Sequence, residues 1–68
     1  MRKLTITFLD GKTKTFEPES DSKFVRYKVV GDWVEISEYR KMNVGYGVTL
    51  TRDLAVYNRA AIVGATYE

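Results

Sequence analysis

A two-residue turn, Gly31-Asp32, separates two strand-like runs and constrains this chain more than any other feature. Residues 24–30 and 33–39 are both rich in β-branched and aromatic side chains, which is typical of β-strands. A two-residue loop between such runs predicts a hairpin, because glycine accepts the positive φ that tight hairpin turns need. The centre of the chain is therefore expected to be an antiparallel β-hairpin.

Counting outward from the turn assigns the cross-strand neighbours of this central hairpin. One face is expected to be apolar, because it pairs Val29 with Val34 and Tyr27 with Ile36. The pairs predicted on the second face are Val30 with Trp33, Lys28 with Glu35, and Phe24 with Tyr39. A purely solvated face would not need a tryptophan and two more aromatic rings. The second face is therefore expected to be covered by the rest of the chain or to be a contact surface.

Another hairpin is predicted at the start of the chain, where residues 4–8 alternate apolar and polar side chains before Asp10-Gly11. A two-residue loop would place Phe16 on the polar face. A three-residue loop, with Gly11 as a bulge, places Phe16 opposite Leu4 instead. We expect the three-residue loop, because it keeps the apolar side chains together.

Two connectors are predicted between the strands. The return strand of the first hairpin, 12–17, should end at Pro18, which cannot donate to a ladder. Residues 17–22 are polar and acidic and are expected to form a loop. Residues 40–47 contain Asn43 and two glycines, and they are interpreted as a second connector.

The last third of the chain has two interpretations. The first predicts, in order, a strand over 46–51, a tight turn at Arg52-Asp53, a strand over 54–57, a short helical turn near 58–61 and a last strand over 62–67. The second predicts one helix across 53–63, because Asp53 suits a helix N-cap and Leu54 and Tyr57 follow at helical spacing. Val56 and Gly64 disfavour a long helix, so the first interpretation is preferred.

The predicted fold class is all-β, with one domain over residues 1–68. We expect a small antiparallel meander of about six short strands that forms a barrel or a strongly bent sheet, at the scale of known small barrels. A chain of 68 residues suffices for one domain. A domain near 60 residues buries only about 60% of its unfolded surface, so its stability margin is small.

The composition argues against an enzyme. The sequence has no cysteine and no histidine, which removes disulfides, thiol nucleophiles, the commonest metal ligand and the usual neutral-pH acid/base. Glu35 and Glu38 lie three apart on one predicted strand, so they point to opposite faces and cannot act as a pair. We therefore expect a non-enzyme with no cofactor.

Two further motifs are candidates for a phosphate-binding loop and a metal site. Gly45-Tyr46-Gly47 is too short for a phosphate-binding loop and lacks the Lys-Ser/Thr that would follow it. The only candidate for a carboxylate metal site is the alternation of Glu17, Glu19 and Asp21, which is more simply a solvated loop. No metal site is predicted.

Two kinds of partner are compatible with the second face. A protein partner or a second copy is the first hypothesis, because Tyr and Trp are enriched at interfaces and the chain is 13% aromatic. Nucleic acid is the alternative, since basic and aromatic residues interleaved on a β-surface bind single strands by charge and stacking. The candidate binding residues for either partner are Arg26, Lys28, Trp33, Tyr39, Arg40 and Lys41. A net charge of +2 does not by itself imply nucleic acid.

The sequence also supports expectations about where the protein is located and which proteins it resembles. The N-terminal residues do not resemble a signal peptide and no run suits a membrane helix, so a cytoplasmic protein is expected. The Asp10-Gly11 hairpin, the strand residues 32–36 and a closing segment with Asn58 and Ile62-Val63 resemble, as a set, short accessory proteins of bacterial phages and prophages. That resemblance implies a partner-binding or regulatory role and carries over no functional residue.

Overall fold

A computed structural model describes residues 2–42 and 47–68 of the chain, and these residues form strands joined by short connections. The elements in chain order are β1 (Leu4–Phe8), β2 (Thr13–Phe16), β3 (Lys23–Val30), β4 (Trp33–Lys41), β5 (Val48–Asn58), a 3₁₀ helical turn (Arg59–Ala61) and β6 (Ile62–Tyr67). The all-β prediction is confirmed. No helix in the described part of the chain is long and apolar enough to cross a membrane.

The strands form two three-stranded antiparallel sheets. One sheet has the order β2-β1-β6 and the other has the order β3-β4-β5. The chain is therefore not a simple meander, because β6 returns to pair with β1 rather than with β5. No closed barrel is found among the described strands, so the expectation of a barrel or strongly bent sheet is not confirmed.

The first hairpin has the predicted three-residue loop. Leu4 lies opposite Phe16, and the Phe8 N–H donates to the Lys12 carbonyl at 2.8 Å. Gly11 has a φ of +87°, a region that L side chains rarely adopt, and its N–H donates to the Phe8 carbonyl at 2.9 Å. The loop spans residues 9–11 and sets a register in which Leu4 and Phe16 share the buried face.

The central hairpin has the predicted register throughout its length, from Val30 opposite Trp33 to Phe24 opposite Tyr39. Gly31 takes a φ of +58° in the turn. On the expected apolar face Val34 is buried, but its partner Val29 is about half exposed. The difference arises because β4 is the middle strand of its sheet, whereas β3 is at the edge.

The predicted turn at Arg52-Asp53 is wrong, because β5 continues through both residues as one eleven-residue strand. Its pairing with β4 shifts register at two places, where Leu54 and Thr51 are extra residues on the β5 side. Such bulges bend a strand without reversing it. The polar Arg52-Asp53 pair therefore marks a bend and not a hairpin.

The alternative helix across 53–63 is also wrong, and the preferred short helical turn is confirmed. Asn58 caps the 3₁₀ turn, and its side-chain oxygen accepts a hydrogen bond from the Ala60 N–H at 2.9 Å. Ile62 is extended and begins β6, which pairs with β1. The cap and the β-branched residues that follow limit the helical segment to one turn.

The second connector is shorter than predicted. Strand β4 runs through Arg40 to Lys41, so these two residues belong to the sheet and not to the loop. The predicted flexible points Asn43 and Gly45, and the motif Gly45-Tyr46-Gly47 except its last residue, lie outside the described residues. Tyr46, the predicted start of the next strand, also lies outside the described residues.

The core lies between the inner faces of the two sheets. The buried apolar side chains are Leu4, Ile6, Phe16, Val25, Val34 and Ile36. Tyr57 on β5 closes one side, with its ring 5.0 Å from that of Phe8 and 6.5 Å from that of Phe16. The molecule is only 15 Å thick along its shortest axis, which leaves one side of each sheet toward solvent.

Candidate interaction surface

The outer face of sheet β3-β4-β5 carries exposed apolar side chains. Because side chains alternate along a strand, Trp33 lies on the side opposite to buried Val34 and Ile36. The members of this outer patch, each between 45% and 57% exposed, are Val30, Trp33, Val48, Leu50 and Val56. Val30 pairs with Trp33 across the turn, and Val56 pairs with Glu35 on the other side of β4. The outer patch therefore spans all three strands.

An aromatic cluster lies at the other end of the same face. The rings of Phe24 and Tyr39 stack with centroids 5.8 Å apart and planes 22° from parallel. The guanidinium carbon of Arg26 lies 5.6 Å from the Tyr39 ring centre, a distance at which cation–π attraction operates. Leu50 pairs with Tyr39, which connects this cluster to the outer patch.

The candidate binding residues predicted from the sequence divide between two faces. Those on the outer face are Arg26, Lys28, Trp33, Tyr39 and Lys41, by register and alternation. Arg40 lies opposite Lys23 on the other side of the sheet, beyond the end of the core. The structure brings Arg26 and Tyr39 into contact, whereas Trp33 lies toward the opposite end of the hairpin.

Lys28 and Glu35 are cross-strand neighbours, as predicted, in the centre of the outer face. Among the described residues, however, neither forms an ion pair within 4 Å; the ion pairs of this sheet are made by Lys23, Glu38 and Arg52 instead. Both charges point to solvent rather than neutralising one another. They are consequently available to a partner.

Glu38 is a buried carboxylate that the sequence interpretation overlooked. Its relative exposure is 0%, and it lies in phase with Val34 and Ile36 on the core face of β4. Arg52 donates to it twice, and the Thr51 hydroxyl donates to Oε1 at 2.7 Å. The Arg52 hydrogen bonds, together with those from Thr51 and the Glu19 N–H, lower its pKa to about 2 against the opposing effect of burial.

This arrangement makes Glu38 structural and not catalytic. A carboxylate that is ionised and already accepts several hydrogen bonds has no proton to give and little capacity to take one. Its backbone partner is the Glu19 N–H at 2.9 Å, so it ties the loop over 17–22 to the sheet. In the sequence, Glu38 follows Val34 and Ile36 at intervals of two, so it lies on the same face of the strand as these core residues. This spacing is the signal that indicates a buried carboxylate with hydrogen-bond partners.

The acidic loop does not assemble a metal site. Glu17 pairs with Lys3 at 3.1 Å, and Glu19 pairs with Lys23 at 2.8 Å. The hydrogen bond from Lys23 also lowers the pKa of Glu19. Across residues 2–42 and 47–68, no group of three or more His, Cys, Asp or Glu side chains is placed to hold a metal ion.

No protein family, curated protein or solved structure matches this chain. What it binds must therefore be inferred from its own surface.

Proposed function

We propose that this chain is a non-enzymatic protein-interaction module that assembles with a second copy of itself through the outer patch. The observation that supports this most is the half-exposed Trp33, with four aliphatic side chains on the same sheet face. Isolated exposed apolar residues are ordinary, but several on one face of a sheet are typical of an interaction site. Val30, Trp33 and Val56 lie together near the turn, and Leu50 and Val48 lie at the far end of the face. Tryptophan is also among the residues that contribute most to interface affinity.

A second copy fits this face because the face is self-complementary in charge. Lys28 and Glu35 are neighbours at its centre, and neither has an ion-pair partner among the described residues. A two-fold axis through the patch would set Lys28 of one copy against Glu35 of the other, twice. A standard interface of ~800 Å² per partner is about one sixth of the 4994 Å² accessible surface of the chain.

Sedimentation velocity over a range of concentrations tests self-association. We expect Trp33→Ala to weaken the dimer at least about tenfold while leaving monomer unfolding nearly unchanged, because Trp33 is exposed and outside the core. The matched control is Leu9→Ala, which truncates a side chain that is 72% exposed at the tip of the first hairpin. A wild-type chain that stays monomeric at high micromolar concentration would contradict the proposal.

Nucleic-acid binding is the second candidate. It is favoured by the placement of Arg26, Lys28 and Lys41 on the same face as the half-exposed Trp33 ring. Binding of this kind depends on charge and is weakened by salt. Titration of labelled single- and double-stranded oligonucleotides at two salt concentrations tests it. An absence of binding at low salt would eliminate this candidate.

Two wider proposals accompany these. The sequence resemblance supports an accessory role in a phage or prophage, within a bacterial cytoplasm. We also propose a barrel or strongly bent sheet; its closure would require strand pairing at both seams, between the edges of β3 and β6 and between those of β2 and β5.

A further inference from the structure

Strand β3 presents a free edge. Among the described strands it pairs with β4 alone, and its other side faces β6 of the second sheet. One side-chain hydrogen bond crosses this gap, from the Tyr67 hydroxyl to the Val25 carbonyl at 3.1 Å. The rings of Tyr67 and Tyr27 also stack there, 6.5 Å apart. The Lys23 N–H is also occupied, because it donates to the Ser20 carbonyl at 3.1 Å. The other main-chain groups that β3 directs away from β4 have no backbone partner in the described part of the chain.

A groove of about 570 Å³ runs along the first half of this edge. Its ionisable lining comprises four cations and one carboxylate, namely Arg2, Lys23, Arg26, Lys41 and Asp21. Lys23 is engaged by Glu19 and Glu38, but Arg2, Arg26 and Lys41 form no ion pair with a carboxylate in the described part of the chain. The groove therefore offers three cations to an anionic ligand.

The two arginines of this groove are already held in place by aromatic rings. The guanidinium carbon of Arg2 lies 5.0 Å from the Tyr67 ring centre, and that of Arg26 lies 5.6 Å from the Tyr39 ring centre. A side chain that is ordered before binding loses less conformational entropy when a ligand arrives. Guanidinium groups also bind carboxylates through two parallel hydrogen bonds.

A smaller groove, of about 220 Å³, lies along the second half of the same edge, and Arg59 is the one charged residue in its lining. Its walls include Tyr27 and Val29 from β3 and Val63 from β6, all of which are exposed. The Tyr27 and Tyr67 rings stand between the two grooves, since each ring lines one of them. An extended segment along β3 would thus meet cations first and apolar side chains next.

The charges of β3 identify the kind of segment that fits. The strand carries Lys23, Arg26 and Lys28 and has no acidic residue. Two copies of β3 paired edge to edge would set like charges against each other, which disfavours a second copy at this edge. Nucleic acid is less suited too, because the Tyr39 and Tyr67 rings, which would stack on bases, already contact Arg26, Phe24, Arg2 and Tyr27.

We infer that the free edge of β3 binds an extended acidic segment of a partner protein, which adds as a strand and places carboxylates against Arg2, Arg26 and Lys41. Main-chain hydrogen bonds to β3 supply affinity and the cationic groove supplies selectivity. This site adjoins the far end of the outer patch, where Lys41 pairs with Val48, but it does not include Trp33 and does not depend on self-association.

The probe is a labelled twelve-residue peptide in which Glu alternates with Val and Thr, titrated by fluorescence anisotropy. We expect saturable binding that weakens with salt, and at least about tenfold weaker binding by the double variant Arg2→Glu, Arg26→Glu. The matched control is Lys12→Glu, Lys14→Glu, which changes the net charge equally on the first hairpin. Trp33→Ala should bind the peptide like the wild type, which separates this site from the outer patch.

Hydrogen exchange on the wild-type chain provides a readout that needs no variant. Peptide addition should slow exchange at β3 amides, because a new strand occupies its free edge. Failure of the acidic peptide to bind, equal binding of a peptide with Lys in place of Glu, or no added protection of β3 would each overturn the inference. Tighter binding of a twelve-nucleotide thymidine strand would overturn it in favour of nucleic acid.

Discussion

Arg52 binds Glu38 through both carboxylate oxygens, with Nε donating to Oε1 at 3.1 Å and Nη2 donating to Oε2 at 3.0 Å. Glu38 is buried, whereas the Arg52 side chain is 42% exposed. The pair therefore connects the core face of β4 to solvent on β5, at the place where β5 bends. Removal of the carboxylate would leave the Glu19 N–H without its acceptor, whereas the Thr51 hydroxyl would retain the Glu38 main-chain carbonyl, 3.1 Å away.

Stability should decline in acid because of Glu38. Its pKa is about 2 in the folded chain against an ordinary value of 4.5, so the unfolded state binds a proton at a pH where the folded state does not. The contribution is fully present above pH 4.5 and is lost as the pH falls from 4.5 towards 2. Thermal unfolding measured across this range should show the loss.

Glu38→Gln tests the source of that decline. The variant should be less stable at pH 7 by about 2 kcal/mol, because hydrogen bonds to a charged acceptor are replaced by weaker ones. It should also lose much of the acid dependence. Glu17→Gln is the control, since Glu17 is exposed and forms only a surface ion pair with Lys3. An undiminished acid transition in Glu38→Gln would show that other carboxylates are responsible.

Gly11→Ala should destabilise the first hairpin by about 1 kcal/mol, because a side chain at φ +87° is strained. The space around Gly11 is open, so the cost arises from backbone conformation and not from a clash. Gly64→Ala is the comparison. Gly64 also has open space but no positive φ, so its replacement should be neutral or slightly stabilising in urea unfolding. Equal effects at both positions would contradict this explanation.

Val34→Ala and Val29→Ala form a matched pair, because these valines are direct cross-strand neighbours with different burial. Truncation of buried Val34 should cost about 2 kcal/mol, since it removes buried methyl groups and leaves a cavity. Truncation of half-exposed Val29 should cost less than about 1 kcal/mol. Urea unfolding measures both values. A reversed order would mean that β3 is covered in solution by another chain.

Tyr67→Phe should reduce stability by about 1 kcal/mol, because it removes the hydrogen bond to the Val25 carbonyl while keeping the ring. Hydrogen exchange should quicken locally where β3 faces β6. Tyr27→Phe is the control, since it keeps the ring contact with Tyr67 without disturbing that hydrogen bond. If both variants behave alike, the Tyr67 hydroxyl contributes nothing specific to the association of the sheets.

The two hairpins were predictable because their information is local. Gly11 and Gly31 supply positive φ within each turn, and the alternation on both sides then selects one register. The short helical turn followed similarly from Asn58 and its neighbours. The sequence does not determine whether the Trp33 face of the central hairpin is exposed, because that depends on which face the other sheet packs against.

The pairing of β6 with β1 and the continuation of β5 through Arg52-Asp53 were not predictable. Arg52-Asp53 has the composition of a turn, but backbone pairing with β4 and the hydrogen bonds from Arg52 to Glu38 and from Ser37 to Asp53 hold both residues in the strand. These contacts join residues distant in sequence. Arg40 was misplaced for a related reason: a predicted connector began there, whereas β4 extends one residue beyond it.

The pairing of β1 with β6 also affects how the chain reaches its folded state. The Lys3 and Glu68 backbones exchange hydrogen bonds at 2.9 and 3.3 Å, so β1 is paired with a strand that is synthesised after β2 to β5. Until β6 is synthesised, the strand that carries Leu4 and Ile6 can pair only with β2, and one of its edges is unpaired. Such long-range pairing slows folding and prolongs exposure of apolar side chains. The nascent first hairpin is thus the stage at which this chain is most vulnerable to aggregation.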